Sequence, residues 1–237
     1  MKIRGDRECK ACGTRWSYYD TGSVACPECG SLQSIGVDDR KEHTTAPIEL
    51  DLTCIRSRVG DEPLWELADE AATVAGEYVR RQGFIDAGDL QPLDETYLAA
   101  TELRHAARLF DQSLRADSDE EYYLLSLLRG ADQGDRPSVE EVPESVRTAR
   151  GLAYARAVDD YCRDLRTAFE GDPDPAVADL LSMLGEHRKR IQALDGDVPV
   201  SDAEALVKTA RALGRGVIDD DENALAEARA MLDGLGP

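Results

Sequence analysis

The chain has 237 residues, 42% hydrophobic and 32% charged, and its 28 Lys and Arg against 48 Asp and Glu give a formal net charge of −20. That length allows one helical domain with a small module attached, or two modest domains, and the apolar fraction is enough for a sizeable core. The charge excludes a protein whose whole surface grips nucleic acid, because most of it repels a polyanion at low salt.

The acidity is made of 28 Asp and 20 Glu against 23 Arg and only 5 Lys. Such a surface suits concentrated salt, where carboxylates hold water and cations and self-repulsion is screened within about 3 Å at 1 M. A halophilic setting is the expectation. The acid is unevenly spread. Residues 1–30 hold Lys2, Arg4, Arg7, Lys10 and Arg15 against Asp6, Glu8, Asp20 and Glu28, a balance of +1, and residues 31–237 hold 23 basic against 44 acidic groups, a balance of −21. Nucleic acid could therefore approach only through residues 1–47. The opening "MKIRGDRECK" lacks the apolar core of a signal peptide, and the longest apolar run, "YYLLSLL" at 122–128, is far too short to span a bilayer. The expectation is a cytoplasmic protein with no membrane partner, and paired cysteines there read as metal ligands rather than disulfides.

The first element in chain order is a cysteine module. Cys9-x-x-Cys12-Gly13 and Cys26-Pro27-x-Cys29-Gly30 are two knuckles separated by 13 residues. Two intervening residues let both thiolates of a tight turn face one ion, and the following glycine supplies the positive φ by which the chain leaves. Four thiolates at about 2.3 Å suit tetrahedral Zn²⁺ and leave no position for water, so the site is structural. Between the knuckles, Thr14 to Tyr19 is expected to form a strand, "DTGS" at 20–23 a turn, and Val24-Ala25 the return of a β-hairpin. Trp16 and Tyr18 would then share one strand face.

This pattern resembles a zinc ribbon of the transcription-factor-IIB type. The resemblance implies Cys9, Cys12, Cys26 and Cys29 as zinc ligands, and a partner in the transcription or RNA machinery. The whole chain also resembles an uncharacterised haloarchaeal family that joins such a ribbon to an acidic helical region, on the strength of "MKIRGDRECKACGTRWSYYDTGS" and of "YVRRQGF" at 78–84. Nothing after the ribbon reads as the paired cyclin-like repeats of the initiation factor, so promoter-factor activity is not implied. A rubredoxin-like reading, with iron in the same knuckles, is disfavoured by the short insert and the polar "CKAC" and "CPEC" loops.

Beyond the ribbon, His43 reads as a surface linker residue. Ile48, Leu50, Leu52 and Cys54 alternate as one face of a possible strand, and Cys54 and mid-helix Cys162 read as small buried residues. From about residue 62 the apolar spacing is helical. Leu64, Leu67, Ala71, Val74 and Tyr78 form one stripe, capped by Asp61 and ended near Gly83. Leu93, Tyr97, Ala100, Leu103, Ala107, Phe110 and Leu114 form a second. A short helix over "EEYYLLSLLRG" follows. Ser138 with Glu141 gives a capping-box signal, and Pro143 suits the first turn of a long helix to about Phe169. The next helix carries Val177, Leu180, Leu184, Ile191 and Leu194 behind an Asp172 cap. A sixth opens at Ser201 with Glu204 and stops near Gly214, and a seventh runs from about Asp221 to Leu232.

The expected fold is mainly α: a small β zinc ribbon followed by an antiparallel helical bundle. The expected division is 1–47 for ribbon and linker and 48–237 for the acidic bundle, which "GDPDP" at 171–175 could subdivide. Arg104, His105 and Arg108 read as a solvated face pairing with acids, "HRKR" at 187–190 as cations at a helix C-terminus, and His187 as a satisfied semi-buried histidine. No Walker loop, dinucleotide fingerprint or nucleophile elbow occurs, so no catalytic or cofactor-binding residue is assigned. The expected protein is non-catalytic. It carries one structural Zn and works through a protein partner, with nucleic-acid binding by the ribbon, or an enzyme site in the bundle, as the alternatives.

Overall fold

The computed structural model describes residues 1–112, 117–169 and 171–235; Leu114 of the second apolar stripe lies outside them. The fold is mainly α, with small antiparallel sheets at the N-terminal end. Strand β1 (Lys2–Ile3) pairs with β5 (Lys41–Glu42), and β2 (Asp6–Cys9) lies between β3 (Arg15–Ser17) and β4 (Ser34–Gly36). Glu8 faces Arg15 across β2–β3, where the two side chains form an ion pair at 2.6 Å.

This sheet corrects the hairpin expected between the knuckles. The first knuckle is itself the reversal, so the strand that follows it pairs backward onto β2, and the chain after the second knuckle returns as β4. Tyr18 is not in the strand with Trp16. Ser17 caps a single helical turn, α1 (Tyr18–Thr21), with its Oγ 3.4 Å from the Asp20 amide, and Gly22 ends that turn in the left-handed region.

The segment before the first long helix is not a strand either. The Asp51 carboxylate accepts from the Thr53 amide at 2.9 Å and starts the turn α2 (Thr53–Arg56). Leu50 and Leu52 still point inward, whereas Cys54 is exposed, which overturns its reading as a buried residue. Cys162 is buried as expected.

The long helices follow the apolar spacing: α3 (Leu64–Arg81), α4 (Glu95–Gln112), α5 (Ser118–Gly130), α6 (Arg147–Ala168), α7 (Pro175–Ala193), α8 (Val200–Ile218) and α9 (Glu222–Gly234). Small residues let α3 and α4 approach: Ala68, Ala71, Ala72 and Ala75 on one and Ala99, Ala100, Ala106 and Ala107 on the other are all buried. Helix α6 is the axis of the core. It packs on α4, α7 and α8, and carries buried residues from Ala149 to Leu165.

Several ends differ from expectation. Pro63, not Asp61, precedes α3. The Ser138–Glu141 capping box exists, but it caps a 3₁₀ turn, Val139–Glu141, and α6 begins only at Arg147. Asp174 rather than Asp172 caps α7, because Pro175 at the first helical position fixes the start there. Helix α8 starts behind Pro199 and runs through Gly214 to Ile218; that glycine is where the helix meets the Tyr161 ring of α6, not a terminator. Between α3 and α4 an unforeseen hairpin, β6 (Ile85–Asp86) with β7 (Asp89–Leu90), turns on Ala87 and Gly88, both at positive φ (50° and 97°), the geometry of a two-residue hairpin loop.

Candidate metal centre

Each knuckle is built the same way. The Gly13 amide donates to the Cys9 carbonyl and the Cys9 amide to the Thr14 carbonyl, both at 2.9 Å. Gly30 with Cys26, and Cys26 with Ser31, repeat the pair at 2.9 Å. Gly13 and Gly30 take φ of 78° and 70°, as the sequence requires of the residue leaving each knuckle. The loops turn all four sulfurs inward. Cys9 Sγ is 3.6 Å from Cys29 Sγ, Cys12 Sγ is 3.6 Å from Cys26 Sγ, and all four lie within 4.8 Å of one another. A tetrahedron with metal–sulfur bonds of 2.3 Å has edges of about 3.8 Å, so the cluster fits one thiolate-bound ion. Cys9 and Cys26 are buried and Cys12 and Cys29 exposed, one of each per knuckle.

Electrostatics give the same reading. Hydrogen bonds from the Thr14 side chain and backbone bring Cys12 down to about 6. Cys29 receives a backbone hydrogen bond at Ser31 that favours its thiolate, yet the neighbouring sulfur of Cys12, burial, and Cys9 push it up to about 12. Four thiols this close cannot all ionise on their own, and a cation at their centre removes that conflict. The chemistry available to such a set is structural: four sulfurs fill a tetrahedral shell.

A family of unknown function (DUF7117) matches residues 1–232. The chain belongs to the DUF7117 family. No curated protein and no solved structure matches it. The DUF7117 match covers the ribbon and the helices together, so the cysteine cluster and the helical region are parts of one family pattern.

Other residues singled out in the sequence fall elsewhere. His43 is not a surface linker residue. It is 6% exposed, its Nδ1 lies 3.4 Å from the Ala87 amide that donates to it and 3.3 Å from Asp86, and its ring meets Tyr19 at 4.8 Å. Among the described residues, the Arg104–His105–Arg108 face forms no ion pair with an acid. His105 donates from Nδ1 to the Thr101 carbonyl at 2.8 Å, and burial, with Arg104 and Arg108 adding to it, lowers its pKa. Arg108 is exposed, and Arg104 turns into a cavity. His187 is half-buried as expected.

That cavity, about 360 Å³, lies among α3, α4, α6 and the 82–84 turn, and Arg80, Arg104, Arg156, Arg163, Asp160 and Asp164 line it. A second polar cluster sits in the core. Glu102 and Arg150 are 0% and 1% exposed and meet at 2.8 Å. Tyr123 and Tyr154 donate to the same carboxylate. Complete burial pushes the Glu102 carboxyl up against the pull of Arg150, Tyr123 and Arg136. Sequence reasoning missed both clusters, since their members are scattered among surface-like charges. The one available signal was Glu102 beside Leu103, on the inward side of an otherwise apolar helix.

Proposed function

We propose that the chain is a non-catalytic interaction protein organised by one structural Zn²⁺ held by Cys9, Cys12, Cys26 and Cys29. In this reading residues 1–47 form the ribbon and linker and dock a partner protein, and residues 48–237 form an acidic helical unit with a second interaction surface. The link to the transcription or RNA machinery rests on the resemblance of the ribbon to the transcription-factor-IIB type, and the halophilic, cytoplasmic setting on composition.

One observation carries the docking role. A groove of about 420 Å³ on the ribbon is lined by Lys2, Arg4, Arg7 and Arg40 together with Ile3, Tyr18 and Val24. Arg4 donates to the Asp38 carbonyl at 2.7 Å and Arg7 to Ser34 Oγ at 3.0 Å, and among the described residues neither forms an ion pair. Four cations beside apolar side chains, in a chain of net charge −20, suit an acidic segment with apolar anchors. Val24, Leu32, Ile35 and Val37 extend the exposed apolar surface of the same module.

Affinity capture in high-salt buffer with wild type, Cys12→Ser and Arg4→Glu/Arg7→Glu tests this. A protein captured by wild type and lost from both variants is the expected result; one retained equally by all three ends the docking assignment. Capture of RNA or DNA through the ribbon would replace the protein partner by a nucleic acid. Cys12→Ser is also expected to release the metal and unfold the ribbon while most helical circular dichroism persists, and stoichiometric zinc in that variant would refute the ligand set.

A second reading, an enzyme with its site among the helices, draws support from the arginine- and aspartate-lined cavity. Turnover of any substrate bound there would favour it.

A further inference from the structure

The cavity among α3, α4 and α6 has an unusual charge arrangement for this chain. Four guanidinium groups, Arg80, Arg104, Arg156 and Arg163, share the lining with only two carboxylates, Asp160 and Asp164, in a chain of net charge −20. Both carboxylates are already engaged in the wall. Asp164 Oδ2 accepts from Thr44 Oγ1 at 2.6 Å and from the Phe84 amide at 2.7 Å. Asp160 takes Arg156 Nε at 2.8 Å, Arg163 at 2.9 Å and the Tyr97 hydroxyl at 3.2 Å.

Arg163 is matched, by Asp160 and by Asp159 at 3.2 Å, but the other arginines are less well served. Arg156 spends only its Nε on Asp160, so its terminal nitrogens have no partner among the described residues. Among the described residues Arg80 has only the exposed Glu77, at 3.9 Å. Arg104 is the telling one: its Nε is buried without a hydrogen-bond partner, and among the described residues it forms no ion pair. Burial and the charges of Arg108 and Arg156 work against its ionisation. An uncompensated guanidinium in a protein wall is destabilising, and an anion in the cavity relieves it.

We propose that this cavity binds a phosphomonoester-class dianion, with Arg104 and Arg156 as its principal ligands and Arg80 and Arg163 at its mouth. Planar guanidinium forks match phosphate oxygens in pairs, and the two charges of a dianion suit the two guanidinium groups, Arg104 and Arg156, that keep nitrogens without partners among the described residues. The volume decides for an ester over a bare ion. At about 360 Å³ the cavity lies in the size range of small-molecule pockets, more than a bare phosphate requires. The remaining wall, Val79, Phe84 and Tyr97, offers apolar surface to an organic group. The site involves no ribbon cysteine, so it stands whether or not the ribbon docks a partner.

Calorimetric titration of the full, metal-loaded chain in chloride-free buffer tests it, with glucose 6-phosphate, inorganic phosphate and glucose as probes. Both phosphates should bind one per chain and glucose should not. Tighter binding of glucose 6-phosphate is expected, and equal binding would overturn the choice of an ester over a bare ion. Arg104→Gln and Arg156→Gln should each weaken binding by about tenfold or more, whereas Arg108→Gln, one turn along on the exposed side, should not. Without ligand, Arg104→Gln should melt at or above the wild-type temperature, and added phosphate should raise the melting point of wild type but not of the variant. Should Arg104→Gln fail to fold, the half-exposed Arg156→Gln carries the test. Absence of binding of either phosphate at about 10 mM, equal loss in Arg108→Gln, or binding of an RNA oligonucleotide alone would overturn the proposal.

Discussion

Glu102 and Arg150 place a carboxyl group and a guanidinium in a core built chiefly of Leu, Ala, Val and Tyr, and hydrogen bonds hold them there. The carboxylate takes Arg150 together with the Tyr123 and Tyr154 hydroxyls, and the guanidinium also reaches the Pro137 carbonyl at 2.6 Å and Glu204 at 3.3 Å. Removing one member strands the other. Glu102→Leu is therefore expected to cost about 3–5 kcal/mol, and Glu102→Leu/Arg150→Met to recover most of it, since a buried pair is often no better than an apolar replacement. Urea denaturation of the three proteins checks this; a double variant less stable than Glu102→Leu would show that the network contributes more than mutual neutralisation.

At the scale of elements, the contact between α6 and α8 makes a similar point about close packing. A Cβ at Gly214 would overlap the Tyr161 hydroxyl, which is buried without a hydrogen-bond partner. Gly214→Ala gains about 0.5–1 kcal/mol in helix propensity, but the overlap outweighs it and the variant should melt lower. Tyr161→Phe removes the obstructing and unsatisfied hydroxyl, so it should be neutral or stabilising alone and should rescue part of the Gly214→Ala loss. Additive melting shifts in the double variant would refute this contact. Gly214 also shows what the sequence could convey. Helical periodicity was sufficient to place seven long helices, because burial on one face writes a 3.6-residue repeat into the chain. Their ends were less legible. A glycine that allows a close approach looks like a terminator, and Asp172 and Asp174 are equal as caps until Pro175 chooses between them. The ribbon shows the same division: its cluster of four cysteines was plain from spacing, but the pairing of Arg15–Ser17 was not, since only the folded knuckle reveals that it serves as the turn. The clusters around Glu102 and Arg104 left little local trace beyond the inward position of Glu102, because each is assembled from helices far apart in sequence.

For the whole molecule, the join between ribbon and helices is the feature that neither part explains alone. Thr44 carries it: its amide donates to the Ile85 carbonyl at 2.9 Å, and its hydroxyl reaches Asp164 of α6. His43, beside it, is wedged between Tyr18 and Tyr19 of the ribbon and the β6–β7 hairpin, with Asp86, Glu42 and the N-terminal ammonium as the neighbouring charges. Burial lowers its pKa below the ordinary 6.5, against the pull of Asp86 and with a small contribution from the terminal ammonium. A histidine that is harder to protonate folded than unfolded contributes stability above its unfolded pKa, and that contribution is lost as the pH falls from about 6.5 through the lower folded value. The neutral ring is also the form that accepts from the Ala87 amide, so protonation breaks this bond as well. The melting temperature of wild type should therefore fall between pH 7.5 and 5 more steeply than that of His43→Gln. Acid release of the metal is common to both proteins and cancels in the difference. Parallel curves over that range would mean that the imidazole stays neutral without cost, and would refute its share in the pH dependence of the junction.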